Sequence, residues 1–71
     1  MTTISYEDYL KDYRELSPNM QRMVRKAASL ELETRGAYEI GSSDVSCEVF
    51  SLYSSLGSFE AVIRHGLDLL S

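Results

Sequence analysis

Apolar and polar residues follow a helical rhythm along most of the chain, broken at three places: Ser17-Pro18, the stretch from Gly36 to Asp44, and Gly57-Ser58. In the first segment Tyr6, Tyr9, Leu10, Tyr13 and Leu16 recur every three or four residues, which places them on one face of a helix from Tyr6 to about Leu16. Ser5 is suited to cap its N-terminus, and Glu7 and Asp8 complement the helix dipole in the first turn. Ile4, just before the cap, is placed to staple onto Tyr9, and Glu7 and Lys11 form a favourably oriented i,i+4 pair.

The second segment opens with Ser17 as cap and Pro18 at the first helical position, where the missing N–H costs nothing. Met20, Met23, Val24, Ala27, Leu30 and Glu31 line one stripe, Glu31 and Arg35 are spaced for an i,i+4 pair, and Gly36 supplies the stop. A helix to Thr34 is the preferred reading. Its rival is a hairpin over residues 30–40, because Leu30-Glu31-Leu32-Glu33-Thr34 alternates with period two and Ala37 to Ile40 lies opposite across Arg35-Gly36. A lone two-stranded hairpin is marginal in water, and the rest of the chain supplies no further strand pattern. Residues 37–43 then read as a loop with Tyr38 and Ile40 tucked against the bundle.

The third segment starts with Asp44 as N-cap, carries Val45, Val49, Leu52, Tyr53 and Leu56 on one face, and stops at Gly57. The fourth is capped by Ser58 and repeats Phe59, Val62, Ile63, Gly66, Leu67 and Leu70, with Glu60 and Arg64 as a further i,i+4 pair. Gly66 lies on the apolar face. A mid-helix glycine costs about 1 kcal/mol of propensity, so its placement points to close approach by a neighbouring helix. The expectation is all-α: one helical domain over residues 1–71, a compact bundle of about four short helices in which each stripe is buried by the others.

Composition narrows the functional classes. Seventy-one residues are too few for a doubly wound nucleotide-binding fold or a barrel enzyme. One Cys and one His cannot make a disulfide framework or a tetrahedral zinc site from protein ligands alone, and no cofactor is implied. No apolar run approaches the ~20 residues of a membrane span, and the N-terminus lacks the basic-then-apolar pattern of a secretory signal. With a lone thiol, this suits a reducing cytoplasm.

The net charge of −4 is unevenly spread. Residues 1–26 carry +1, and residues 27–71 carry −5. There is no glycine-rich phosphate loop. The single thiol–imidazole combination, Cys47 and His65, falls on different helices and off both stripes. Cys47 has no Lys or Arg within five residues to lower its pKa. Among the carboxylates, Glu31 and Glu33 point to different sides of a helix, and Asp8 and Asp12 share a face with Lys11 and Glu15 beside them. These observations argue against an enzyme.

Arg22, Arg25 and Lys26 make a small basic patch on the second helix, the candidate surface for a dimeric nucleic-acid-binding regulator. The plainer reading is a solvated face paired with Asp12 or Glu15. The helix after Gly36 carries Asp44 and Glu48 and no basic residue, which is wrong for a DNA-reading second helix.

Protein binding is the leading expectation. Glu31, Glu33, Glu39, Asp44 and Glu48 offer an acidic face fit for a basic groove. Leu32, Cys47 and Phe50 lie off their helices' stripes and are candidates for an apolar contact. In size and acidic balance the chain resembles the small proteins that phages and other mobile elements encode to inhibit host machinery, anti-CRISPR proteins among them. That resemblance covers gross properties and carries no motif. It implies a module that docks on a larger protein, in the host cytoplasm if virally encoded. A homodimer, as a structural oligomer subunit, is the third alternative.

Overall fold

The computed structural model describes residues 4–71. Four helices follow one another: α1 (Tyr6–Glu15), α2 (Pro18–Thr34), α3 (Ser42–Leu56) and α4 (Phe59–Leu70). No strand occurs among the described residues, so the helical reading of residues 30–34 holds and the hairpin does not form. No helix is long and apolar enough to cross a membrane.

The caps account for most boundaries. Ser5, Ser17 and Ser58 each accept a hydrogen bond from the backbone N–H three residues on, at 3.2–3.3 Å. Gly57 ends α3 and Gly36 follows α2, both at φ near +90°, a region that L side chains avoid. The start of α3 corrects one expectation. Its N-cap is Gly41 rather than Asp44, and Asp44 sits at the third helical position, where its Oδ2 accepts the Gly41 N–H at 3.0 Å. A carboxylate there satisfies an orphan donor and also meets the positive end of the dipole.

The long helix α2 packs against both α3 and α4, and α1 lies across α3. Tyr9, Val24, Ala27, Ala28, Val49, Leu52, Tyr53, Phe59 and Val62 form the core, with Ile4, Leu10, Tyr13, Leu16 and Phe50 among the partly buried residues packed on it. Gly66 is buried against Ala27: a Cβ built on it would lie 2.6 Å from the Ala27 Cβ and 2.9 Å from its Cα. This is the close approach that its place on the apolar face predicts. Gln21 Nε2 on α2 donates to the carbonyls of Tyr13 and Leu16, and so ties off the C-terminal end of α1.

Several apolar positions lie further out than their periodicity implies. Tyr38 is 99 % exposed rather than tucked in, while Ile40 is partly buried. Met23, expected as core filler, is 45 % exposed, and Leu56, Leu67 and Leu70 are also exposed. In so small a bundle each helix has neighbours on only part of its apolar arc, and the remainder faces solvent. The i,i+4 pairs Glu7–Lys11 and Glu60–Arg64 do not close to ion-pair distance, whereas Glu31–Arg35 does, at 3.3 Å.

Candidate functional site

The end of α2 and the start of α3 are built around one arginine. The chain turns out of α2 with the Ala37 N–H donating to the Leu32 carbonyl at 3.1 Å, across Gly36. This wrap leaves Arg35 at the C-cap with its side chain directed back over the bundle. Its Nη1 donates to Glu48 Oε1 on α3 at 2.8 Å, and its Nη2 donates to Glu31 Oε1 on α2 at 3.3 Å. The other oxygen of Glu31, Oε2, lies 2.9 Å from His65 Nε2 on α4. Four side chains thus connect three helices in one chain of polar contacts. The hydrogen bond from His65, followed by the nearby charges of His65 and Arg35, holds the Glu31 carboxyl below the usual carboxylate range despite partial burial.

Glu48 is 6 % exposed, the one buried charged residue among those described. Its Oε1 is satisfied by Arg35, but its Oε2 is buried and has no hydrogen-bond partner. Beside it lies an open cleft of about 500 Å³, walled by Leu32, Glu39, Ile40, Asp44, Cys47 and Glu48. Five of the eight side chains expected at a partner surface therefore meet in one place.

The other three do not. Glu31 is taken up in the polar chain with Arg35 and His65. Glu33 is exposed outside the cleft. Phe50, which the stripe of its helix leaves out, packs against α1, with ring centroids 5.2 Å from Tyr6 and 5.0 Å from Tyr9. The acidic face is accordingly narrower than its residue types suggest. Glu39 and Asp44 are exposed on it, and Glu48 lies beneath.

Two features escape a reading of the sequence. The reach of Arg35 across to Glu48 is set by the turn after α2. The pairing of Glu31 with His65 needs the crossing of α2 and α4. A signal exists for Glu48: it stands three residues after Val45 and four before Leu52, at the edge of the apolar stripe, where a carboxylate must find a partner.

Of the basic patch, Arg25 is half-buried and donates to Ser46 Oγ and Ser42 Oγ on α3, both at 3.1 Å, rather than pairing with Asp12 or Glu15. Arg22 bonds to Asn19 Oδ1 at 3.0 Å, and Lys26 is exposed. Asp12 instead accepts the Tyr53 hydroxyl at 2.7 Å. Cys47 and His65 open onto different clefts, and among the described residues no group of three His, Cys, Asp or Glu side chains is placed to hold a metal. A second, drier groove of about 240 Å³ runs between α2 and α4, floored by Ala27 and Gly66 and edged by Met23, Leu30, Leu67 and Leu70.

No family model, curated protein or solved structure matches this chain. Its function rests on the geometry.

Proposed function

We propose that the protein is a non-enzymatic binding module that docks on a basic surface of a larger protein through the cleft between the end of α2 and the start of α3. The observation that carries this reading is the convergence of Leu32, Glu39, Ile40, Asp44, Cys47 and Glu48 on one open cleft. Apolar walls with acidic residues among them suit a contact in which apolar burial holds the partner and charge selects it. The acidic balance of residues 27–71 adds a field that attracts basic surfaces and repels phosphate backbones. In size and charge the chain resembles the small inhibitors of phages and mobile elements, and the mode of action that follows is occlusion of a basic groove on host machinery.

The test is affinity capture from source-cell lysate, with and without nuclease, using the unmodified chain and a Glu39→Lys/Asp44→Lys variant whose helical content is checked by circular dichroism. One stoichiometric protein that the unmodified chain retains and the folded variant loses supports the reading. Equal retention by both overturns it, as does retention that disappears on nuclease treatment.

A further inference from the structure

We propose that the cleft receives an arginine side chain of the partner protein, with the Glu48 carboxylate as its anchor. This rests on the docking reading above and names the group that enters. The starting point is the bare oxygen. Glu48 is more than nine-tenths buried, Arg35 takes only its Oε1, and Oε2 has no donor although a carboxylate offers about four acceptor sites. A buried acceptor left empty is unfavourable in the free protein, and a ligand that fills it gains by the difference. The terminal torsion of a glutamate is soft. The two oxygens turn together, so a rotation that brings Oε2 to the cleft moves Oε1 as well, and the Arg35 side chain, 56 % exposed, follows it.

The charges around the cleft set the sign of the ligand. Glu39 and Asp44 lie on its rim and Glu48 on its wall, and Asp44 has Oδ2 committed to the Gly41 N–H but Oδ1 free. The cations nearest them are Arg35, which is shared with Glu31, itself paired with His65, and Arg25, which is held on α3 by Ser42 and Ser46 outside the cleft lining. The balance is negative. The ligand is a long organic cation rather than a metal ion, because the carboxylates do not converge into a metal-holding group. Leu32 and Ile40 give the methylene stem an apolar wall to lie on. Arginine fits better than lysine because its planar head presents five donors to acceptors approaching from several directions, and it is the more weakly hydrated of the two.

The probe is the peptide acetyl-Ala-Arg-Ala-amide, with its citrulline counterpart as the neutral isostere and its lysine counterpart as the point charge. Titrated into the ¹⁵N-labelled protein, the arginine peptide is expected to shift the amides of Leu32, Glu39, Ile40, Asp44, Cys47 and Glu48 saturably. Citrulline is expected to bind about tenfold more weakly or not at all, and lysine in between. Glu48→Gln keeps the shape and removes the charge, so it should weaken the arginine peptide by about tenfold. Should that variant fail to fold, the unmodified protein provides a second readout: the exposed thiol of Cys47 in the cleft wall should be alkylated by iodoacetamide more slowly in the presence of the arginine peptide.

Equal binding of arginine and citrulline, or no saturable shift, overturns the assignment. Concentration-dependent shifts of the same amides without peptide also overturn it, since the occupant would then be a second copy of the chain. A partner that is lost on Glu39→Lys/Asp44→Lys while the arginine peptide leaves the cleft untouched refutes the arginine and leaves the docking reading standing. A partner kept by that variant refutes the docking reading itself.

Discussion

Two seams hold the bundle together by opposite means. Where α1 meets α3 and α4, large rings do the packing: Tyr9 has its ring centroid 5.0–6.0 Å from those of Tyr6, Tyr13, Phe50, Tyr53 and Phe59. Where α2 meets α4, the contact depends on the absence of a side chain, with Gly66 pressed on Ala27. The aromatic seam needs bulk, because α1 has ten residues and can be anchored only by a few large surfaces. The glycine seam needs closeness, because it brings His65 to Glu31 and thereby ties α4 into the polar chain that ends at the cleft. One seam is damaged by removing atoms and the other by adding them. They also fail at opposite ends of the pH scale.

The largest expected effect is truncation in the aromatic seam. Tyr9 is 3 % exposed, and replacing a buried aromatic with alanine costs about 3–5 kcal/mol. That equals about the whole stability of a single small core, ~3–5 kcal/mol. Tyr9→Ala should therefore be unfolded or molten at 25 °C, with collapsed dispersion in its amide spectrum. A cooperative melt within a few degrees of the unmodified protein would show that α1 is dispensable.

The next effect is alkaline. Burial, with Tyr13 and Tyr6 close by, pushes the Tyr9 hydroxyl up to about 12. The hydrogen bond to Asp12, which the phenol donates and the phenolate cannot, raises Tyr53 as well. A folded-state value above the unfolded one means stability is complete below pH 10 and is lost as pH rises from 10 towards 12. For Tyr9 the loss amounts to about 3 kcal/mol. Urea melts between pH 9 and 12 should show the decline, and Tyr9→Phe should reduce it. A flat profile would place these hydroxyls in water.

Adding one carbon to the other seam should cost less. Gly66→Ala puts a methyl 2.6 Å from the Ala27 Cβ and 2.9 Å from its Cα, neither of which can swing aside. Overpacking costs about 1–3 kcal/mol, and the gain in helix propensity offsets about 1 kcal/mol of it. A net loss of about 1 kcal/mol is expected in thermal melts. Combining it with Ala27→Gly should recover part of the packing loss, because the nearer of the two clashes disappears. Stabilisation by Gly66→Ala would mean that α2 and α4 are further apart than 2.6 Å implies.

The two seams were not equally legible in the sequence. Helix number, the three serine caps and the role of Gly66 follow from spacing, because they depend on local chemistry or on one face of one helix. Phe50 lies off the stripe yet packs on Tyr6 and Tyr9, because α3 faces α1 as well as α2 and α4 and its apolar arc is wider than one stripe. Tyr38 has the residue type of a core margin, yet it is 99 % exposed on the loop between α2 and α3. The acidic candidates do not share one environment. Burial separates Glu48 from Glu39, and pairing takes up Glu31. Neither depends on residues near in sequence.

The smallest effect, and the sharpest test of the glycine seam, lies at acid pH. The Glu31 carboxyl sits below its usual value chiefly because His65 bonds to it, with Arg35 adding to the pull. Stability from such a group is present above the unfolded value of 4.5 and is lost as pH falls through the folded one. Partly screened pairs of this kind are worth less than about 1 kcal/mol, so the decline should be shallow. Glu31→Gln should lower stability slightly at pH 6 and make the acid limb flatter. The same substitution in the Gly66→Ala background should have less effect, because displacement of α4 already loosens His65 from Glu31. Melts of the four combinations at pH 6 and pH 3.5 form a double-mutant cycle. A coupling of zero would mean that the polar chain holds α4 independently of the glycine contact, and that the two halves of this seam are separate devices.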